Sequence, residues 1–268
     1  MGFLDKLADR RHKTGGMLCV GLDPDAEKMP PAIASAPQPL YEFCRAIVGT
    51  VAPYACAFKP NLAFFESSGS NGIAQLERLL AEVPSDIPVI LDAKRGDIGN
   101  TARHYARFLF EHLGGDAATV NPYLGRDALE PFFDFPGKIP FVLCLTSNPG
   151  SADIQTAAVG GERIYHRVIA LLERIEKPFG LVVGARHEIL LEEIRLTAPT
   201  APLLIPGIGA QGGDLETVVG ISTAGDAPAV INVSRDILYA SQGDDFAEAA
   251  AQRAASYVER MRAVGNPV

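Results

Sequence analysis

Cysteine is sparse in this chain, basic residues are in deficit, and no apolar run is long enough to span a bilayer. The four cysteines, Cys19, Cys44, Cys56 and Cys144, form no CxxC pair, which argues against a disulfide scaffold or a zinc ribbon and is the usage expected of reduced core residues in a cytoplasmic protein. The five histidines show no HExxH or paired-ligand spacing, so zinc chemistry has no support. A formal net charge of -8 argues against a general nucleic-acid surface, though a locally positive site for an anionic small molecule remains compatible with it. The opening MGFLDKLADRRHK lacks the apolar centre of a signal peptide, and Lys6 stands where a myristoylation signal wants Ser or Thr. SSGS at Ser67 to Ser70 is not a GxSxG elbow, and Asn148-Pro149-Gly150-Ser151, with proline after the Asn, is not a glycosylation acceptor.

What is present is a regular alternation. With 47% apolar and 21% charged residues, the 268-residue chain can bury a sizeable core. Apolar strand candidates run Met17 to Leu22, Ala55 to Lys59, Pro88 to Asp92, Ala117 to Asn121, Pro140 to Leu145, Gly180 to Gly184, Pro202 to Pro206 and Ala229 to Val233. Helical periodicity falls between them at Leu40 to Val51, Gly72 to Glu82, Thr101 to Leu113, Ile164 to Glu173 and Glu188 to Arg195, with a closing helix near Asp245 to Arg262. The intervals after Asn121 and after Pro206 offer only short helical segments. Strand and helix alternating in this way predict an α/β fold, a (β/α)8 TIM barrel, with a doubly wound open sheet as the alternative. The proline-rich Pro30 to Pro39 reads as a long loop after the first strand, so residues 1–268 are expected to form one domain.

In such a barrel the chemistry gathers at the carboxyl ends of the strands. The third strand runs into VILDAKRGDIGNT, residues 89–101. Alternation puts Asp92 and Lys94 on one face, and Asp97 follows in a turn loosened by Gly96 and Gly99 before a helix starting near Asn100 or Thr101. The expectation is two carboxylates gathered around one ammonium, a preorganised acid. The same pattern also suits a surface salt-bridge cluster. A divalent metal fits it poorly, because the ammonium competes for the carboxylates. Other strands end in Gly21-Leu22-Asp23, in Phe58-Lys59-Pro60-Asn61 and in Thr146-Ser147-Asn148-Pro149-Gly150. Together they would set a polar ring over an apolar barrel.

The last two strands carry a different signal. PGIGAQGG follows Ile205, and the eighth strand ends Asn232-Val233-Ser234-Arg235. Glycine amides, Gln211 and the Arg235 fork suit a phosphate, which this barrel class often binds after strands 7 and 8. Gly207, Gly209 and Gly212 also match GxGxxG, but a dinucleotide fingerprint should open the first βαβ unit, and Asp226 precedes its strand instead of ending it.

LDAKRGDIGNT, with GLD at the first strand, FKPN at the second, TSNPG at the fifth, PGIGAQGG at the seventh and Ser-Arg after the eighth, resembles the orotidine 5′-phosphate decarboxylase family over essentially the whole chain. NPYLGRDALEPF resembles the longer subgroup of that family. The resemblance implies that Lys59, Asp92, Lys94 and Asp97 form an alternating charge network, with Asp97 reaching into the neighbouring subunit of a homodimer. It implies that Asp23 contacts the ribose, that Thr101 assists across the interface, and that Ser147 binds the pyrimidine. Gln211 and Arg235 would grip the phosphate with the amide of Ser234. The implied reaction is decarboxylation to uridine 5′-phosphate in pyrimidine biosynthesis, with Lys94 protonating carbon 6 and neither metal nor organic cofactor required.

Two positions depart from the family pattern. Asp236 follows Arg235 where the family usually has Gly or another small residue, and VVGARHE replaces the usual VVGAT after the sixth strand. Arg186-His187-Glu188 is expected to begin a helix. Three rivals stay open on the sequence: a sugar-phosphate decarboxylase or aldolase of the same barrel superfamily, a Schiff-base aldolase using Lys94, and a non-catalytic phosphate-binding barrel. The first commonly places an acid where this chain has Lys59.

Overall fold

The computed structural model describes residues 1–209, 212–223 and 227–265. Eight parallel strands form the sheet: β1 (Leu18–Leu22), β2 (Ala57–Pro60), β3 (Ile90–Arg95), β4 (Ala117–Val120), β5 (Ile139–Leu145), β6 (Gly180–Val183), β7 (Leu203–Pro206) and β8 (Ala229–Val233). Their order is β2-β1-β8-β7-β6-β5-β4-β3, and parallel bridges Phe58 to Val89 and Asn61 to Asp92 join β2 to β3. The sheet therefore closes on itself as a TIM barrel, and the open doubly wound alternative falls.

Helix α1 (Phe3–Thr14) precedes the barrel, and α2 (Pro39–Val51), α3 (Gly69–Glu82), α4 (Gly99–Arg107), α5 (Ile164–Glu173), α6 (Glu188–Thr197), α7 (Leu215–Thr223) and α8 (Phe246–Val264) surround it. The expected helix from Thr101 to Leu113 is α4 followed by a π-helical turn, Phe108–His112. α6 begins after His187, as expected. The interval after Asn121 holds only short pieces, Arg126–Leu129 and Glu130–Phe133. The proline-rich segment after β1 carries one short helix, Pro31–Ala34.

Because side chains alternate along a strand, each barrel strand sends one set inward and the other against the helices. The inward set includes Cys19, Ala57, Ile90, Ala117, Phe141, Val182, Leu204 and Val230, one from each strand, and it packs with Phe3 and Leu7 of α1. Helix α1 thus plugs the amino-terminal end of the barrel. Phe3 meets Phe141 edge-on at 5.6 Å between ring centres. Lys6 fixes the helix through Asp116 at 3.0 Å, and the second oxygen of Asp116 accepts the Val89 amide. The four cysteines are free and buried. Among the described residues no helix is long and apolar enough to cross a membrane.

Candidate functional site

Two residues beyond that apolar layer, toward the carboxyl ends, the same alternation brings Gly21, Lys59, Asp92, Thr119, Leu143, Gly184, Pro206 and Asn232 into the barrel mouth. The floor of the site is thus one layer of the barrel. It is polar on the β2–β3–β4 side.

Asp92 is at its centre, 8% exposed. Lys59 Nζ lies 2.7 Å from Asp92 Oδ2, and Lys94 Nζ lies 2.5 Å from Oδ1. Thr119 Oγ1 donates to Oδ1 at 2.9 Å. Burial alone would push the Asp92 carboxyl up, but Lys59 and then Lys94 outweigh it and hold the group well below the usual carboxylate range. Burial likewise disfavours the Lys59 ammonium, and Asp92 followed by Asp23 more than offsets this, so its ionisation moves upward. Lys59 and Asp92 are therefore a locked ion pair. Lys94, half exposed, is the movable partner.

The arrangement corrects the expectation of two carboxylates around one ammonium. Within the chain one carboxylate is held by two ammonium groups. Asp97 instead accepts the amide of Ile98 at 2.8 Å, and neither Asp97 nor the exposed Thr101 lines the cavities of the barrel mouth. Simple alternation also fails to describe β3, whose register against β4 shifts between Leu91 and Arg95. Lys94 lies in that irregularity with φ 48°, a left-handed conformation costing a non-glycine residue roughly 1–3 kcal/mol.

Thr119 compensates for this turn. Its hydroxyl accepts the amides of Ala93 at 3.0 Å and Lys94 at 2.9 Å while donating to Asp92. One buried hydroxyl thus ties the backbone of Lys94 to the carboxylate that its side chain meets. Sequence reasoning missed Thr119. The signal was available: it is the inward position two residues after Ala117.

Two cavities adjoin over this floor and share Lys59, Asp92 and Pro206. The smaller, about 150 Å³, is also lined by Asp23, Gly207, Ser234 and Arg235. The larger, about 400 Å³, is also lined by Lys94, Thr119, Ser147 and Gln155. Asp23 Oδ1 is buried without a hydrogen-bond partner among the described residues, which leaves an acceptor in the wall of the smaller cavity. Gly21 is required here by close approach, because a Cβ at that position would lie 1.8 Å from Ser234 Oγ. The exposed Arg235 makes no ion pair among the described residues. Gln211 and Asp226 lie outside the described residues.

The loop carrying Ser147 is braced by neighbours that the motif did not include. Gln155 Oε1 accepts the Thr146 amide at 2.7 Å, and His187 Nε2 lies 3.2 Å from the Thr146 carbonyl oxygen. VVGARHE therefore supports the fifth-strand loop through His187. No group of three or more His, Cys, Asp or Glu side chains suited to a metal occurs among the described residues.

The family model "Orotidine 5'-phosphate decarboxylase / HUMPS family" matches residues 16–252. The chain belongs to this family. It is 47% identical over 255 residues to the orotidine 5′-phosphate decarboxylase of Roseiflexus castenholzii, covering 93% of each chain. It is 44% identical over 274 residues to that of Verminephrobacter eiseniae, covering 98% of each. Among solved structures it resembles Leishmania donovani OMP decarboxylase, with a TM-score of 0.82, 38% identity and 98% of both chains covered. The family, the enzyme class and the barrel read from the sequence all hold.

Proposed function

We propose that this chain removes CO₂ from orotidine 5′-phosphate to give uridine 5′-phosphate in pyrimidine biosynthesis, using its own side chains alone. The observation that carries the reading is the Lys59–Asp92–Lys94 group at the junction of two cavities of unequal character. The smaller cavity would take the phosphate at Arg235, the Ser234 amide and Gln211, with Asp23 receiving a ribose hydroxyl. The larger would take the pyrimidine against Ser147.

Loss of CO₂ leaves an electron pair on carbon 6, and a cation aimed at that carbon stabilises the developing charge before giving it a proton. Lys94 fills this role. Its ammonium is half exposed toward the larger cavity, whereas Lys59 is committed to Asp92. Asp92, gripped by Lys59 and Thr119, holds Lys94 in place and is itself held against displacement. The buried Lys59 ammonium occupies carboxylate oxygen that a divalent cation would need, which separates this site from metal-dependent relatives of the barrel.

Asp97 and Thr101 complete the site from a second subunit in this reading, which makes the enzyme a homodimer. The exposure of Thr101 and of Ile98, the latter at 59%, with Asp97 only partly buried between strand and helix, supports that assignment. The whole chain, residues 1–268, acts as one domain and works in the cytoplasm.

The test is the ultraviolet absorbance of orotidine 5′-phosphate mixed with purified protein in EDTA. Loss of the substrate band with release of CO₂ is expected. Folded protein that binds uridine 5′-phosphate yet leaves orotidine 5′-phosphate intact would refute the assignment.

A further inference from the structure

Asp236 introduces a carboxylate beside the cavity assigned to phosphate, and its surroundings explain how that charge is tolerated. Asp236 Oδ2 accepts a 2.7 Å hydrogen bond from the Tyr257 hydroxyl and lies 3.7 Å from Arg253 Nε, both on α8. Tyr257 is 5% exposed. Burial, and after it the hydrogen bond to Asp236, pushes its phenol well above the usual range, so the hydroxyl stays a donor.

The same hydroxyl reaches the other phosphate loop. A Cβ on Gly209, which has φ 76°, would lie 2.9 Å from the Tyr257 oxygen and 3.4 Å from Asp236 Cβ. The loop after β7, the loop after β8 and helix α8 therefore meet at one acid–phenol contact. Asp236 itself lines the smaller cavity, together with Ser234 and Arg235.

We propose that Asp236 and Tyr257 are a positioning pair for phosphate recognition: Tyr257, with Arg253, holds the Asp236 carboxylate at the cavity wall so that it does not swing toward the incoming dianion, and ties the loops after β7 and β8 into one cradle. Neither residue needs to touch substrate. This inference rests on the phosphate reading given above. Removing the phenol hydroxyl would free the carboxylate to turn toward the cavity, where a like charge opposes the phosphate. The expected penalty is about tenfold in phosphate-dependent affinity, the scale of one hydrogen bond to a charged group.

The test compares wild type, Tyr257→Phe, Asp236→Asn and the double variant, with uridine 5′-phosphate binding measured by calorimetry and uridine binding by ligand-observed NMR. Tyr257→Phe should weaken uridine 5′-phosphate about tenfold and leave uridine within about twofold. The same substitution made on Asp236→Asn should cost less than about twofold, because no charge remains to be released. Asp236→Asn alone, which keeps an acceptor for Tyr257, should bind uridine 5′-phosphate at least as tightly as wild type. Equal weakening of both ligands by Tyr257→Phe, or an equal penalty in both backgrounds, would reduce the pair to a structural contact and overturn the inference. Wild-type protein that binds uridine as tightly as uridine 5′-phosphate would overturn the phosphate reading itself.

Discussion

Replacing Lys59 by Met should destabilise the folded protein by about 3–5 kcal/mol, the usual cost of stranding one partner of a buried ion pair. The reasoning starts from Asp92, whose side chain is 9% exposed and whose two oxygens lie 2.7 Å and 2.5 Å from Lys59 and Lys94. Two charges 4 Å apart attract by about 4 kcal/mol at an effective dielectric constant of 20, while desolvating each costs several kcal/mol. Lys94 is half exposed and solvent-screened, so it cannot replace Lys59, whose side chain is 4% exposed. Met keeps most of the Lys volume, which limits any cavity contribution. For a chain of this size the loss should lower the melting temperature by about 6–20 °C. Urea denaturation at neutral pH would give the free energy directly.

The same substitution has a pH signature. The folded-state ionisation of Asp92 is depressed, so its contribution is present above the unfolded carboxylate value, about 3.9, and is lost as pH falls through the folded value. Without Lys59 the folded value rises, and the acid-unfolding midpoint should move to higher pH. In an Asp92→Asn background, Lys59→Met should cost less than about 1 kcal/mol, since no buried anion is left behind. A Lys59→Met protein as stable as wild type at neutral pH, with an unchanged acid midpoint, would refute this account of Asp92.

Thr119→Val should remove the shared acceptor of the Ala93 and Lys94 amides, costing about 1–3 kcal/mol in urea denaturation and lowering turnover while uridine 5′-phosphate still binds. Full turnover in that variant would mean that the left-handed turn at Lys94 holds without it. Phe3→Ala should cost about 3–5 kcal/mol by opening the contact with Phe141, because Phe3 is fully buried at the plugged end of the barrel. A melting temperature within about 2 °C of wild type would show that α1 contributes little to the core.

The strands were legible because each barrel strand is a short, mostly apolar run closed by a polar residue, glycine or proline, and a parallel sheet buried on both faces leaves little else to read. Helix α1 escaped notice because FLDKLADRRHK is mostly charged, although its buried Phe3, Leu7, Arg10 and Thr14 recur at helical spacing. At the site, the identities of Lys59, Asp92 and Lys94 were legible from their position at strand ends. Asp92 beside Lys94 was expected from alternation, and the resemblance implied Lys59 with them, but the backbone geometry that brings Lys94 back onto Asp92 was not legible. It depends on a register shift in β3 and on a left-handed residue that alternation does not foresee. Thr119 acquires its role only once β4 is aligned beside that irregularity, and Asp236 is explained by Tyr257, a partner 21 residues away on α8.

The proposed delivery of a proton by Lys94 to carbon 6 without a cofactor is tested most directly by the decarboxylation rate of Lys94→Ala beside wild type in EDTA, with uridine 5′-phosphate binding measured in parallel. Turnover should fall by at least about 10²-fold to 10⁴-fold while the nucleotide still binds. Near-normal turnover by Lys94→Ala would contradict that role.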